Sequence, residues 1–125
     1  MTTLPVVKKI RGSQGSWDVE VIYADDSKET LPTAHKYFWK VDQAGPYYQR
    51  GPADASWANF QQNGKFADHV VLLNAKKRVV LTTDDINEAS GLWKRTGYVG
   101  VFDIAEVSLG ENGLFFRFVG RLPQL

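Results

Sequence analysis

The first third of the chain alternates between apolar and polar residues in the manner of a meander. Trp17, Val19, Val21 and Tyr23 are interleaved with Asp18 and Glu20, the period-two signature of a half-buried strand. This places strands over Leu4–Arg11 and Ser16–Ala24 around the glycine-containing GSQG loop. A short strand over Lys28–Leu31 follows the ADDS turn. His35–Val41, rich in aromatic residues, reads as another strand, and Asp42–Pro52, with its glycines and prolines, reads as a loop.

Ala53, Trp57 and Phe60 fall at i, i+4 and i+7, which predicts a helix over Ala53–Gln62 stopped by Asn63-Gly64. The stretch HVVLLNAKKRVVLTT predicts a hairpin turning at Asn74–Lys77. Its arms, Val70–Leu73 and Val79–Thr82, are apolar at consecutive positions, as in strands covered on both faces. Thr83 is placed as the N-cap of a short second helix, with Asp84 and Asp85 in its first turn. Ile86 and Ala89 would face inward, and Gly91 would end it.

GYVGVFDIAEVSLGENGLFFRFVGRL, near the C-terminus, predicts a long hairpin around Asn112-Gly113, closed by a two-residue loop or by a four-residue loop over Gly110–Gly113. Either loop gives the same two faces. Val101, Ala105, Val107, Leu109, Leu114, Phe116 and Phe118 form the core face, which also holds Asp103. Phe102, Ile104, Glu106, Ser108, Phe115, Arg117, Val119 and Arg121 form a mixed outer face, where Glu106 should reach Arg117 or Arg121. Together these elements predict a single β-dominated α+β domain over residues 1–125. It would have about six or seven mostly antiparallel strands, curled or barrel-like, and two short helices. At the level of architecture this resembles PUA-like and OB-type barrels, without a motif of either family.

Composition narrows the chemistry. With no cysteine among 125 residues, disulfides, thiolate nucleophiles and cysteine-held metals are absent. Fifteen basic and fourteen acidic side chains give a net charge of +1, too small for a long-range field that gathers nucleic acid or anionic membrane. The opening MTTLPVVKKIRG carries a proline and two lysines where a signal peptide needs an apolar run, and no apolar run approaches a membrane span. The expectation is a cytoplasmic protein with no membrane contact.

No Walker, dinucleotide-binding or nucleophile-elbow string occurs. The GXXG string Gly97-Tyr98-Val99-Gly100 lies in a strand, where it marks a bend or bulge. The basic triplet Lys76-Lys77-Arg78 reads as a solvated tip. His35 and His69 are isolated in sequence, so neither a metal site nor a cofactor is expected.

The most informative pattern is aromatic rings beside cations: Tyr47 and Tyr48 with Arg50, and Trp93 with Lys94 and Arg95. Such pairs hold flat or anionic ligands, or else they pack beneath a loop. The leading expectation is therefore a non-catalytic binding module using these six residues, with protein, small-molecule and nucleic-acid partners all open. A second is a homodimer formed through the apolar outer face of the final hairpin, at Phe102, Ile104, Phe115 and Val119. A third is a small acid–base enzyme with a β-lined pocket using His35, His69 or Asp103.

Overall fold

The structure, a computed structural model, describes residues 4–87 and 92–125. Eight strands form one sheet: β1 (Val7–Arg11), β2 (Asp18–Tyr23), β3 (Lys28–His35), β4 (Trp39–Asp42), β5 (Gly45–Arg50), β6 (Arg78–Asn87), β7 (Leu92–Gly110) and β8 (Gly113–Arg121). Two helices, α1 (Trp57–Gln62) and α2 (Phe66–Lys76), lie between β5 and β6. Spatial order is β1-β2-β3-β6-β7-β8-β5-β4. Pairing is antiparallel except between β3 and β6, and that parallel pair is joined by the long crossover it requires, through β4, β5 and both helices. The sheet is open rather than barrel-closed and has more strands than expected. Past the end of β8, the tail returns to β1 through a parallel bridge between Val7 and Gln124. Among the described residues, no helix is long and apolar enough to cross a membrane.

The meander β1–β2–β3 follows the expected order and pairing. On β6, consecutive apolar residues are indeed covered from both sides. Val79 and Leu81 join the larger core cluster with Phe60, Phe66, Leu73 and Phe116, whereas Val80 joins Val19, Val21, Leu31 and Val101 in the smaller one.

Four expectations fail for identifiable reasons. Val70–Leu73 is part of α2, because Phe66, His69 and Leu73, at i, i+3 and i+7, give the segment a helical apolar face. Lys77 ends α2 in the left-handed conformation (φ 53°), its N–H donating to the Leu73 carbonyl at 3.1 Å. Thr83–Asn87 continues β6 and is not a helix. There Asp84 faces Arg95, Asp85 faces Lys94 and Ile86 faces Trp93, so opposite charges meet across the ladder. Ala89 and Gly91 lie outside the described residues. The expected loop Asp42–Pro52 contains β5, which pairs with β4 through Gly45–Tyr48 and with β8 through Tyr47–Arg50. Only the part of the expected His35–Val41 strand from Trp39 onward is extended as β4; Lys36–Phe38 forms a turn of 3-10 helix.

The final hairpin has the register of the wider-loop alternative, with Leu109 opposite Leu114, but it closes more tightly, with Gly110 opposite Gly113 and a two-residue turn at Glu111-Asn112. Leu114, Phe116 and Phe118 of β8 are buried as expected, and so is Val101 of β7, but the rest of the β7 face departs from expectation. Glu106 adopts a left-handed conformation (φ 57°) in a bulge between Ala105 and Ser108, which shifts the pairing by one residue and sets Ile104 opposite Phe118. Phe102 and Ile104 are thereby buried in the larger core cluster, leaving Phe115 half-buried and Val119 exposed on the outer face. Asp103 leaves that core: its carboxylate accepts from Arg78 Nε at 2.7 Å. The Glu106–Arg117 ion pair does form, at 3.5 Å. One of the two irregularities in the β6–β7 ladder, between Leu81 and Thr82, falls opposite the Tyr98–Gly100 stretch of the GXXG string.

Where β5 leaves the sheet, Gly51 lies against Gly113. A Cβ on Gly51 would strike the Asn112 carbonyl, and one on Gly113 (φ 98°) would strike the Arg50 carbonyl and the Gly51 Cα.

Candidate functional site

Between the helices and one end of the sheet lies a cavity of about 690 Å3. The β1–β2 loop supplies Trp17, the end of β3 supplies His35, and the 3-10 turn supplies Phe38. Tyr48 and Arg50 come from β5, Phe60 from α1 and His69 from α2. The paired ends of β6 and β7 add Asp84, Trp93 and Arg95. The volume falls in the range of small-molecule sites.

Of the residues singled out in the sequence, Tyr48, Arg50, Trp93 and Arg95 meet at this cavity. Tyr47 and Lys94 do not line it. Tyr47 turns to the other face of β5, where its ring lies 5.6 Å from Phe115 and 5.5 Å from the Arg117 guanidinium carbon. Lys94 is exposed opposite Asp85. Tyr48 and Arg50 fall in the stretch that reads as a loop in sequence, yet both are buried on a strand, while Tyr47 is half-buried. The alternation of β5 explains the division, since residues 48 and 50 share one face and 47 the other.

Arg50 is the most unusual group. It is only 5% exposed, and its guanidinium carbon lies 3.7 Å from the Phe60 ring centroid, 4.6 Å from that of Phe38 and 5.4 Å from that of Trp93. Nη2 donates to Ser56 Oγ at 3.0 Å, while Nε is buried without a partner. No carboxylate among the described residues forms an ion pair with it. Burial holds its pKa below the ordinary arginine value, with Tyr48, Asp54 and Asp84 pulling the other way. Burial pushes the Tyr48 phenol up to about 12, opposed by the charge on Arg50.

Arg95 has a different task. Its guanidinium donates to the Ser13 carbonyl at 3.2 Å and the Ser16 carbonyl at 2.8 Å. Its backbone N–H donates to Gln14 Oε1, and its carbonyl accepts from Gln14 Nε2. These four bonds clamp the β1–β2 loop over the cavity.

Asp84 was missed by the sequence reading, and His35 was named without its partner. Asp84 lies 2.8 Å from His35 Nδ1 and accepts from Thr82 Oγ1 at 2.8 Å. Its side chain is 4% exposed, against 23% for His35. Burial pushes the carboxyl up, but the hydrogen bond and charge from His35, the Thr82 hydroxyl and the Arg95 charge outweigh it and hold Asp84 below the usual carboxylate value. The His35 ring packs 4.8 Å from Trp93, which stacks on Phe38 at 5.7 Å. The available signal was the complementarity of Asp84-Asp85-Ile86 with Trp93-Lys94-Arg95, which marks a strand pair. His69 is 7% exposed, edge-on to Trp17 at 5.2 Å, and its Nδ1 is buried without a partner. Burial, with the charges of Arg50 and His35, lowers its pKa to about 4, against a hydrogen bond to the Trp17 backbone. Among the described residues, no three histidines or carboxylates converge as a metal site.

Comparison with known proteins leaves the site to be read from its own geometry: no family model, no curated protein and no solved structure matches the chain.

Proposed function

We propose that this protein binds a small molecule, with a planar aromatic body and one anionic group, in the cavity between α1, α2 and the sheet. Arg50 carries the reading. Burying a cation with no carboxylate partner costs several kcal/mol unless another charge compensates it. Ring contacts return part of that cost, about 2 kcal/mol in a desolvated setting. An anionic ligand supplies the rest, and the rings of Trp93, Phe38 and Trp17 supply flat apolar walls for its body.

Calorimetric titration with 2-naphthoate and its neutral analogue 2-naphthamide tests this. Wild type should bind the carboxylate at least tenfold more tightly than the amide. Arg50→Leu should weaken the carboxylate by about 10- to 100-fold, the worth of a charge-assisted hydrogen bond, and leave the amide nearly unchanged. Equal affinity for both probes, or none for either, would overturn the reading.

A further inference from the structure

The cavity holds a device that ligand binding does not require. Asp84 is nearly inaccessible, accepts from Thr82 and sits 2.8 Å from His35 Nδ1. An ionised carboxylate only accepts, so Nδ1 must carry the ring proton, and the lone pair falls on Nε2. Among the described residues, Nε2 has no hydrogen-bond partner and is not enclosed. His35 itself lines the cavity. This is how an imidazole is oriented as a base.

The surroundings narrow the chemistry. The hydroxyl beside His35 is that of Thr82, 3.4 Å away on the Nδ1 side and already donating to Asp84, so it is not placed as a nucleophile. Ser56 Oγ is held by Arg50. The dyad therefore has a base and no paired nucleophile. The Trp93 ring, 4.8 Å from His35 and 5.4 Å from the Arg50 guanidinium carbon, brings base and cation to one side of the cavity.

We propose that the cavity is catalytic, with His35 as general base in the keto–enol tautomerisation of an aromatic 2-oxo acid. This rests on the binding reading above, because Arg50 is assigned the carboxylate of the same ligand. His35 Nε2 takes a proton from the carbon next to the ketone. The C–H pair becomes the new C=C bond, and the carbonyl π pair moves to oxygen as an enolate. The imidazolium then returns the proton to that oxygen, giving the enol, or to carbon, giving exchange with solvent. No oxidant or second substrate is needed. Asp84 is a positioning residue, acting through the His35 tautomer.

The experiment is deuterium exchange at the benzylic carbon of phenylpyruvate in D2O, followed by proton NMR, with 2-naphthoate affinity measured on each variant. Wild type should accelerate exchange at least 100-fold over buffer, and His35→Gln should return it to the buffer rate with 2-naphthoate affinity within threefold of wild type. Asp84→Asn should reduce exchange by 100-fold or more. It should also move the neutral His35 ring to the Nε2–H form in 15N spectra, a change that a merely structural role for Asp84 would not produce. Wild-type exchange at the buffer rate with 2-naphthoate still bound would overturn the catalytic proposal and leave the binding reading standing. Full exchange in His35→Gln would overturn the assignment of the base. Loss of 2-naphthoate selectivity in wild type itself would overturn the binding reading.

Discussion

Arg50 forms no ion pair with an acid among the described residues, and the charges of Asp54 and Asp84 offset only part of its burial, so the unliganded protein is held below the stability its packing would otherwise allow. Arg50→Leu keeps an apolar side chain against Phe60 and Phe38 and removes the desolvated charge. It should stabilise the free protein by about 1–4 kcal/mol in urea unfolding while abolishing selectivity for the carboxylate probe. A comparable loss of stability would mean that the ring contacts and the Ser56 bond outweigh desolvation. His69 makes an opposite kind of demand. Its folded pKa, about 4, lies below the unfolded value of 6.5, so as pH falls the unfolded chain takes up the proton first. The neutral ring therefore contributes full stability above about pH 6.5, and the contribution drains away towards pH 4, about 3 kcal/mol in all. His69→Phe should flatten that part of the profile, as read from urea midpoints at fixed pH values. Residues such as Arg50 and Trp93 could be singled out from sequence because aromatic–cation pairs are visible without a fold. Asp84 could not, because its meaning depends on His35, 49 positions away.

At the scale of elements, sequence and structure part where two periodicities compete. In α2, the run Val70-Val71-Leu72-Leu73 satisfies a strand covered on both faces, and only the wider spacing of Phe66, His69 and Leu73 reveals the helix. The two readings make different demands on Val71, which is 66% exposed. Val71→Lys should change stability by less than about 0.5 kcal/mol, whereas Leu73→Ala should cost about 2–5 kcal/mol. Chemical denaturation of both variants checks this, and a large cost at Val71 would contradict the helix. Lys77 gives a second measure, since its left-handed conformation suits glycine: Lys77→Gly should stabilise by up to about 1 kcal/mol. The meander and the two-sided strand at Val79–Thr82 were legible because alternation and continuous burial are local patterns. The bulge at Glu106 was not, and that single inserted residue turned Phe102 and Ile104 from the expected outer face to the core. The proposed dimer face thereby loses two of its four apolar side chains.

For the molecule as a whole, the cavity draws on segments far apart in sequence, and Arg95 fastens the β1–β2 loop to the β6–β7 end. A ligand that binds only the folded state stabilises it by mass action, and local openings at the site are suppressed with it. Saturating 2-naphthoate should therefore slow amide hydrogen exchange in residues 12–17 and in the 82–87 and 93–96 segments together, with little change at the far Val41–Gly45 turn. Protection confined to one of the three would show that they do not close on one ligand. The contact of Gly51 with Gly113 gives this arrangement a practical corollary. The carbonyl and chain of Arg50 rest directly against a turn on the exterior of the protein, with no space for even a methyl group between them. A laboratory selection for altered ligand grip should thus return changes at Asn112 and Gly113 as well as in the cavity. Such changes would shift the backbone that aims Arg50, so a library confined to ligand-touching positions would overlook one of its handles.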